Sequence, residues 1–378
     1  MEVEEHELKR EDEHQPKRED EHETLTLDPL SNQFFTLNDL CFEFTSLQDL
    51  AFRGSWRSIL DKIARARKLS LLQKPHEELI YIAYSVLALS KLHRYTEAAE
   101  ELDSMSDFDS PRYRYDSYPE IYPNRCGSMV PFVIRWLNAE IPLKLGRRQE
   151  SLDRLYVLLD FVRVRLRERE SRGSELGFCV DLWRKREAFV VYTIASHHLS
   201  NKEFVVCLEL IQGLVQRDSV NAELLSRLGY VQVQVGDLEG AKSTFGKVEG
   251  LVKDGNLGEN EFRNLVGRNK ALVYLIGKDY VSAVREFDEC IERDPTDVVS
   301  INNKALCLMY LRDLSDSIKV LESALERVPT FALNETLVVN LCSMYELAFV
   351  NHSEIKRTLS NWIARVAPDD FDSSSTRV

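Results

Sequence analysis

The side chains that could carry chemistry are present in this 378-residue chain, but none stands in a spacing that lets it act. His6, His14 and His22 recur every eight residues, a spacing that would hold a metal only if a fold brought them together. Their surroundings are the near-duplicates Lys9-Arg-Glu-Asp-Glu-His14 and Lys17-Arg-Glu-Asp-Glu-His22, which read as solvated, disordered charge. His197 and His198 are adjacent, and neighbours on a helix diverge by about 100°, so the pair reads as packed rather than ligating. The seven cysteines (41, 126, 179, 207, 290, 307 and 342) lie at least 17 residues apart, with no CxxC. That spacing excludes a zinc knuckle and a disulfide framework, and points to reduced, buried thiols of a cytosolic protein. No phosphate-cradling GxxxxGK[ST], no GxSxG and no HExxH occurs. The expectation is a chain with no catalytic, cofactor-binding or metal-binding residues.

What does recur is packing. Ala195, Gly229, Ala271 and Ala305 form a column with intervals of 34, 42 and 34 residues. Cys207, Ala241, Ala283 and Ser317 form a second column with the same intervals, and two columns of large apolar residues run beside them: Phe204, Leu238, Tyr280 and Leu314, then Ile211, Phe245, Phe287 and Leu321. Small residues belong where two helices cross, because a longer side chain would push the axes apart. A 34-residue period of this kind is the tetratricopeptide (TPR) pattern, helix–turn–helix units that bury their apolar faces only by stacking. The expected fold is therefore all-α: a right-handed TPR-type α-solenoid of antiparallel helix pairs. Asp294-Pro295 and Pro329 end the second helices of two units, and the eight extra residues in the long interval fall on the turn-like Asp254-Gly-Asn-Leu-Gly-Glu-Asn260.

The organisation follows from composition. Residues 1–45 are acidic and largely disordered; residues 46–366 form the helical array, with the clearest repeats at about 188–330; residues 367–378 are a polar tail. Weaker units are carried by Tyr95, Ala98 and Leu102, and by Ala139, Ser151 and Leu155. Net charge is −13, which argues against nucleic acid and anionic membranes as partners, and no apolar run is long enough to span a bilayer. The run Arg163, Arg165, Arg167, Arg169 and Arg172 reads as the solvated end of a helix, where cations suit the macrodipole. Thr376-Arg-Val378 fits a short carboxylate-terminated ligand of the strand-adding kind.

Residues 111–131 break the pattern, with four prolines and with Tyr113, Tyr115, Tyr118 and Tyr122. They predict a long irregular insertion packed back onto its own chain. The stretch Tyr118-Pro-Glu-Ile-Tyr-Pro-Asn-Arg-Cys-Gly-Ser-Met-Val-Pro-Phe132 resembles a signature of the trafficking protein particle (TRAPP) complex subunit 12 family, in which Tyr118, Pro119, Tyr122, Pro123, Arg125, Gly127 and Pro131 are the candidate family-specific residues. The resemblance continues through Asn138-Ala-Glu140, Glu150–Leu155, Leu182-Trp-Arg184, Asn302–Leu311 and Met344–Leu347.

It implies a non-catalytic subunit of a TRAPP III-type complex that tethers vesicles between endoplasmic reticulum and Golgi and promotes nucleotide exchange on a Rab GTPase through other subunits, with links to autophagy. It also implies the other TRAPP subunits as partners, indirect contact with a Rab GTPase and vesicle membranes, and a cytoplasmic location peripheral to the Golgi and the intermediate compartment. Animal members carry a long N-terminal disordered region where only some 45 residues precede the helices here, so the resemblance does not by itself carry over any role of that region, including a mitotic one. The alternative from the residues alone is a TPR co-chaperone or peptide-binding adaptor, for which Asn269, Asn302 and Asn303 would line the gripping face.

Overall fold

A computed structural model describes residues 44–378 except 73, 106, 172–176 and 255–259. The charged N-terminal duplication, its three histidines, Cys41, Arg172 and the centre of the turn after residue 254 lie outside the described residues. Helices follow one another as α1 (Phe44–Phe52), α2 (Trp56–Lys68), α3 (Pro75–Lys91), α4 (Tyr95–Asp103), α5 (Phe132–Lys144), α6 (Arg148–Glu170), α7 (Gly177–Ser200), α8 (Phe204–Val215), α9 (Ala222–Val235), α10 (Leu238–Asp254), α11 (Asn260–Ile276), α12 (Tyr280–Arg293), α13 (Val298–Tyr310), α14 (Leu314–Arg327), the single turn α15 (Pro329–Ala332), α16 (Glu335–Ala348) and α17 (His352–Val366). Apart from the single turn α15, which is bypassed by contact between α14 and α16, each helix packs on the next, and the array is a TPR-type solenoid of helix pairs. Among the described residues there is no strand, only an isolated bridge between Arg114 and Ser128.

The small-residue columns sit where the helices of a pair cross. Ala195, Ala271, Ala305, Cys207, Ala241 and Ala283 are each at most 4% exposed, and Gly229 is buried too. A Cβ on Gly229 would overlap the Phe245 ring, with Cδ1 at 2.7 Å and Cζ at 2.9 Å, so this crossing has room for glycine alone. The crossing residues of a pair are twelve apart. Where the second is serine, its hydroxyl closes the gap: Ser317 Oγ donates to the Ala305 carbonyl and Ser151 Oγ to the Ala139 carbonyl, both at 2.7 Å. The large residues divide: Ile211, Phe245, Phe287 and Leu321 are core, whereas Phe204, Tyr280 and Leu314 are partly buried and Leu238 is exposed.

The turn inside each pair repeats as strictly as the crossing. His93, Gly146, Lys202, Gly236, Lys278 and Arg312 all have left-handed φ, and the last four have the intervals 34, 42 and 34. In each, the next amide reaches back to the carbonyl five residues earlier, as in Glu203 to His198, Asp237 to Gln232, Asp279 to Tyr274 and Asp313 to Leu308, all at 2.9 Å. This is a Schellman C-cap. The donating residue starts the second helix, and three of the four cap it with a carboxylate: Asp237, Asp279 and Asp313 accept from Gly240, Ser282 and Asp316 amides at 2.9, 3.1 and 3.2 Å.

Helix α5 holds Pro142 in its interior, where the ring removes a donor and should leave the Asn138 carbonyl without a partner. Arg154 of α6 supplies one: its Nη1 donates to that carbonyl at 2.9 Å and to Asn138 Oδ1 at 3.1 Å, while its Nη2 is anchored on Glu150 at 2.6 Å. The helix therefore continues through the proline.

The segment after α17, read from sequence as a polar tail, is packed. Phe371 joins the core of Val338, Cys342 and Ile363, and Ser375 and Thr376 are buried in a 3-10 turn. On the way it meets the other end of the array. Asp369 Oδ2 accepts from the Arg57 amide at 3.0 Å and its own amide donates to the Gly54 carbonyl at 3.2 Å, while Asp370 pairs with Lys91 at 2.9 Å. Ser55 makes no side-chain cap on α2, so Asp369, more than 300 residues away, caps it instead. Gly54, at φ +70°, is required here twice, since a Cβ would also lie 2.6 Å from that of Pro368.

Two outcomes follow from these contacts. Ala283→Leu overfills a crossing that is fully buried and lowers stability by about 1–3 kcal/mol, read from urea midpoints. Asp369→Ala removes a helix cap worth about 0.5–2 kcal/mol and parts the two ends, so the radius of gyration in solution scattering increases.

Candidate interaction surface

The irregular insertion is built as a plug with a free outer rim. Two 3-10 turns, Pro111–Tyr113 and Tyr115–Ser117, are pinned to the returning strand of backbone by Tyr115 N to Gly127 O at 2.9 Å and Met129 N to Tyr113 O at 2.7 Å. Gly127 has φ +96°, which an L side chain adopts only at a cost. Its amide also donates to Asp116 at 3.2 Å, the main cause that holds this carboxyl below its usual range, with Arg114 adding to it. Tyr113, Tyr122, Met129 and Val130 are buried with Leu79, Val86, Leu102, Ile134 and Leu137 of α3, α4 and α5. Tyr122 Oη reaches His76 Nδ1 at 2.6 Å and its ring meets Tyr115 edge-on at 5.0 Å. Tyr118 is half-buried and donates to the Arg112 carbonyl at 3.3 Å, and Pro131 stands at the start of α5. Pro119, Ile121, Pro123, Arg125 and Cys126 face outward, so the family-like segment has its tyrosines inside and its prolines, arginine and isoleucine on the surface.

The residues expected to act elsewhere are engaged. Asn269 is buried and accepts from Ser226 at 2.7 Å, and Asn302 accepts from Asn340 at 2.8 Å, so these amides tie neighbouring first helices together. A groove of about 640 Å³ between α12, α13 and α14 is lined by charges that pair with each other, Lys304 with Asp288 at 2.5 Å and Lys319 with Asp316 at 2.8 Å. In the arginine run, Arg163 is drawn to the buried Glu187 at 2.8 Å, which Arg217 of α8's end also binds at 2.6 Å, and Arg165 pairs with Glu168 at 3.0 Å. Thr376 is buried with Oγ1 on the Ser373 carbonyl at 3.0 Å, and Lys356 holds the Arg377 carbonyl at 2.8 Å, so the terminal triplet sits in a turn rather than extending as a free strand.

His197 and His198 point to different partners. His197 Nε2 lies 3.0 Å from Glu140, while His198 Nδ1 lies 2.5 Å from Glu203 and its Nε2 3.0 Å from Tyr156. Glu203 is held to about pH 2, first by His198, then by Arg148 and Asn201. No group of three potential ligands able to hold a metal occurs among the described residues, and no described helix is long and apolar enough to cross a membrane.

Because Glu203 has a depressed pKa, it contributes stability that is complete above the ordinary value of 4.5 and is lost as pH falls toward about 2. Glu203→Gln therefore lowers the thermal midpoint at neutral pH and flattens its decline over that window, a comparison made by calorimetry across pH.

No model of a protein family matches the chain. Among curated proteins, mouse "Trafficking protein particle complex subunit 12" is 33% identical over 304 residues, covering 77% of this chain and 38% of the relative. The human protein of the same description is 31% identical over 347 residues, covering 86% of this chain and 47% of the relative. The chain thus spans less than half the length of either. Among solved structures, a tetratricopeptide repeat protein from Parabacteroides merdae overlaps with a TM-score of 0.43 at 15% identity, over 80% of this chain and 96% of its own. A thermophilic TPR protein from Thermus thermophilus gives 0.38 at 17%, over 56% and 96%. Over most of its length, then, the chain is similar to curated trafficking protein particle complex subunit 12 proteins.

Proposed function

We propose that this protein is a non-catalytic scaffold subunit of a TRAPP III-type vesicle-tethering complex. It acts in transport between endoplasmic reticulum and Golgi and in autophagy, at the cytoplasmic face of those membranes. Its partners are the other TRAPP subunits, and it reaches a Rab GTPase and vesicles only through them, while exchange chemistry belongs to those subunits. The observation that carries this reading is the identity of 31–33% with curated subunit 12 proteins over most of the chain. The solenoid supports it, because stacked helix pairs offer long, shape-stable surfaces and the charged and polar clusters described above are structural. The scaffold reading is preferred to the adaptor alternative because two of that alternative's three asparagines, Asn269 and Asn302, are bonded between helices.

The insertion presents an exposed rim over a buried base, so the two can be altered separately. Ile121 is 46% exposed beside the buried Tyr122, so the two separate recognition from folding. In cells, Ile121→Glu keeps the thermal midpoint and the helical circular dichroism of the wild type but loses co-purifying TRAPP subunits. Tyr122→Ala loses both. Full co-purification of Ile121→Glu removes the insertion from the interface, and absence of TRAPP subunits from the wild-type preparation removes the scaffold reading itself.

A further inference from the structure

Next to the insertion, the first helices α5 and α7 carry an arginine whose environment is incomplete. Arg186 of α7 lies over the rings of Trp183, at 4.6 Å, and Phe132, at 5.0 Å. It is half-buried, and among the described arginines it is the one whose pKa burial pushes down. Yet no described carboxylate pairs with it. Glu187, the acid next to it in sequence, is taken by Arg163 and Arg217. A guanidinium partly withdrawn from water and left without an anion loses hydration that two ring faces restore only in part. Phe189, 45% exposed, extends the same surface by its contacts with Phe132 at 6.5 Å and Trp136 at 5.3 Å. On the other side Trp183 packs against Phe161, over which Arg135 lies at 4.6 Å, and Arg135 in turn is bonded to Asp109 at the start of the insertion.

We infer that the Arg186–Trp183–Phe132–Phe189 surface is a docking site for an acidic segment of a partner protein, whose Asp or Glu side chain completes the ion pair that Arg186 lacks. This deepens the scaffold reading and rests on it for the source of the segment. Charge complementarity selects the occupant: one desolvated cation framed by aromatic rings has the composition of an interface hot spot, and the group it lacks is a single anion. A nucleic acid fits less well. Its closely spaced phosphates call for several cations on one face, whereas this surface presents one open arginine, on a chain of net charge −13.

The test uses the full chain in cells, with the photo-crosslinking residue p-benzoylphenylalanine in place of Phe189. The complex is purified after irradiation, and the crosslinked peptide is sequenced by mass spectrometry. The expected product is a peptide of another TRAPP subunit containing Asp or Glu. Its yield falls by about tenfold or more in Arg186→Glu and in Arg186→Gln, as loss of a desolvated charge pair entails. Replacing the contacted acid by arginine restores it in the Arg186→Glu background. Arg186→Gln is checked by circular dichroism and is the variant used if Arg186→Glu does not fold. A complex that co-purifies intact but yields no crosslink, or a crosslink indifferent to Arg186, overturns the inference while leaving the scaffold reading in place. A ribonuclease-sensitive crosslink overturns it in favour of RNA, and absence of TRAPP subunits from the preparation overturns both.

Discussion

The close approach of two helices at a pair of small residues twelve apart is the constraint on which the rest of this structure depends. Ala271 with Ala283 and Ala305 with Ser317 are sealed from solvent, and at Gly229 the Phe245 ring occupies the volume a methyl would need. Because the axes are this close, the apolar residues one turn farther along fill the groove and the next pair finds a regular surface to stack on. A single enlarged residue would therefore act on its own crossing and on the pitch between units. In a quasi-one-dimensional array both propagate only to neighbours.

What was legible in the sequence is what this crossing demands of side chains. The columns stand out because only small residues fit at the crossing and large apolar ones fill the groove beside it, and the proline-tyrosine segment stands out because no helix accommodates its prolines. The turn inside each pair was not legible, although it has the same spacing, because its requirement falls on the backbone. Lys202, Lys278 and Arg312 adopt the left-handed φ that Gly236 adopts, and nothing in their side chains announces it. The readable trace lies one residue on, in Asp237, Asp279 and Asp313, whose carboxylates cap the second helices. At Pro142 too the requirement is not local: the guanidinium that satisfies the freed Asn138 carbonyl comes from the next helix.

Long-range closure was hidden for the same reason. The polarity of residues 367–378 suggests a tail, and neither Asp369 nor Asp370 is unusual in composition. Their role exists only because the stacked array brings Gly54, Arg57 and Lys91 to them. A solenoid normally leaves two independent ends, where unfolding begins. Here a loop between α1 and α2 and the segment after α17 share hydrogen bonds, so fraying at either end exposes the other's unsatisfied backbone groups. The buried Lys356, holding the Arg377 carbonyl, secures the far side of the same strap.

The insertion is held by the same architecture. Loops carry function when a rigid frame positions them, and the ordering cost is then met by folding rather than by binding. Tyr113, Tyr122, Met129 and Val130 make the insertion part of the core of α3, α4 and α5, while Arg135 links its start to the aromatic stack that ends at Arg186. Its prolines restrict what the exposed backbone can do, and its tyrosines spend their hydroxyls within the chain, on His76 and the Arg112 carbonyl. The outer face is therefore held in one shape by the fold itself. The clusters around Glu187 and Glu203 are bonded within the chain, whereas Arg186 lies open on a surface beside that rim.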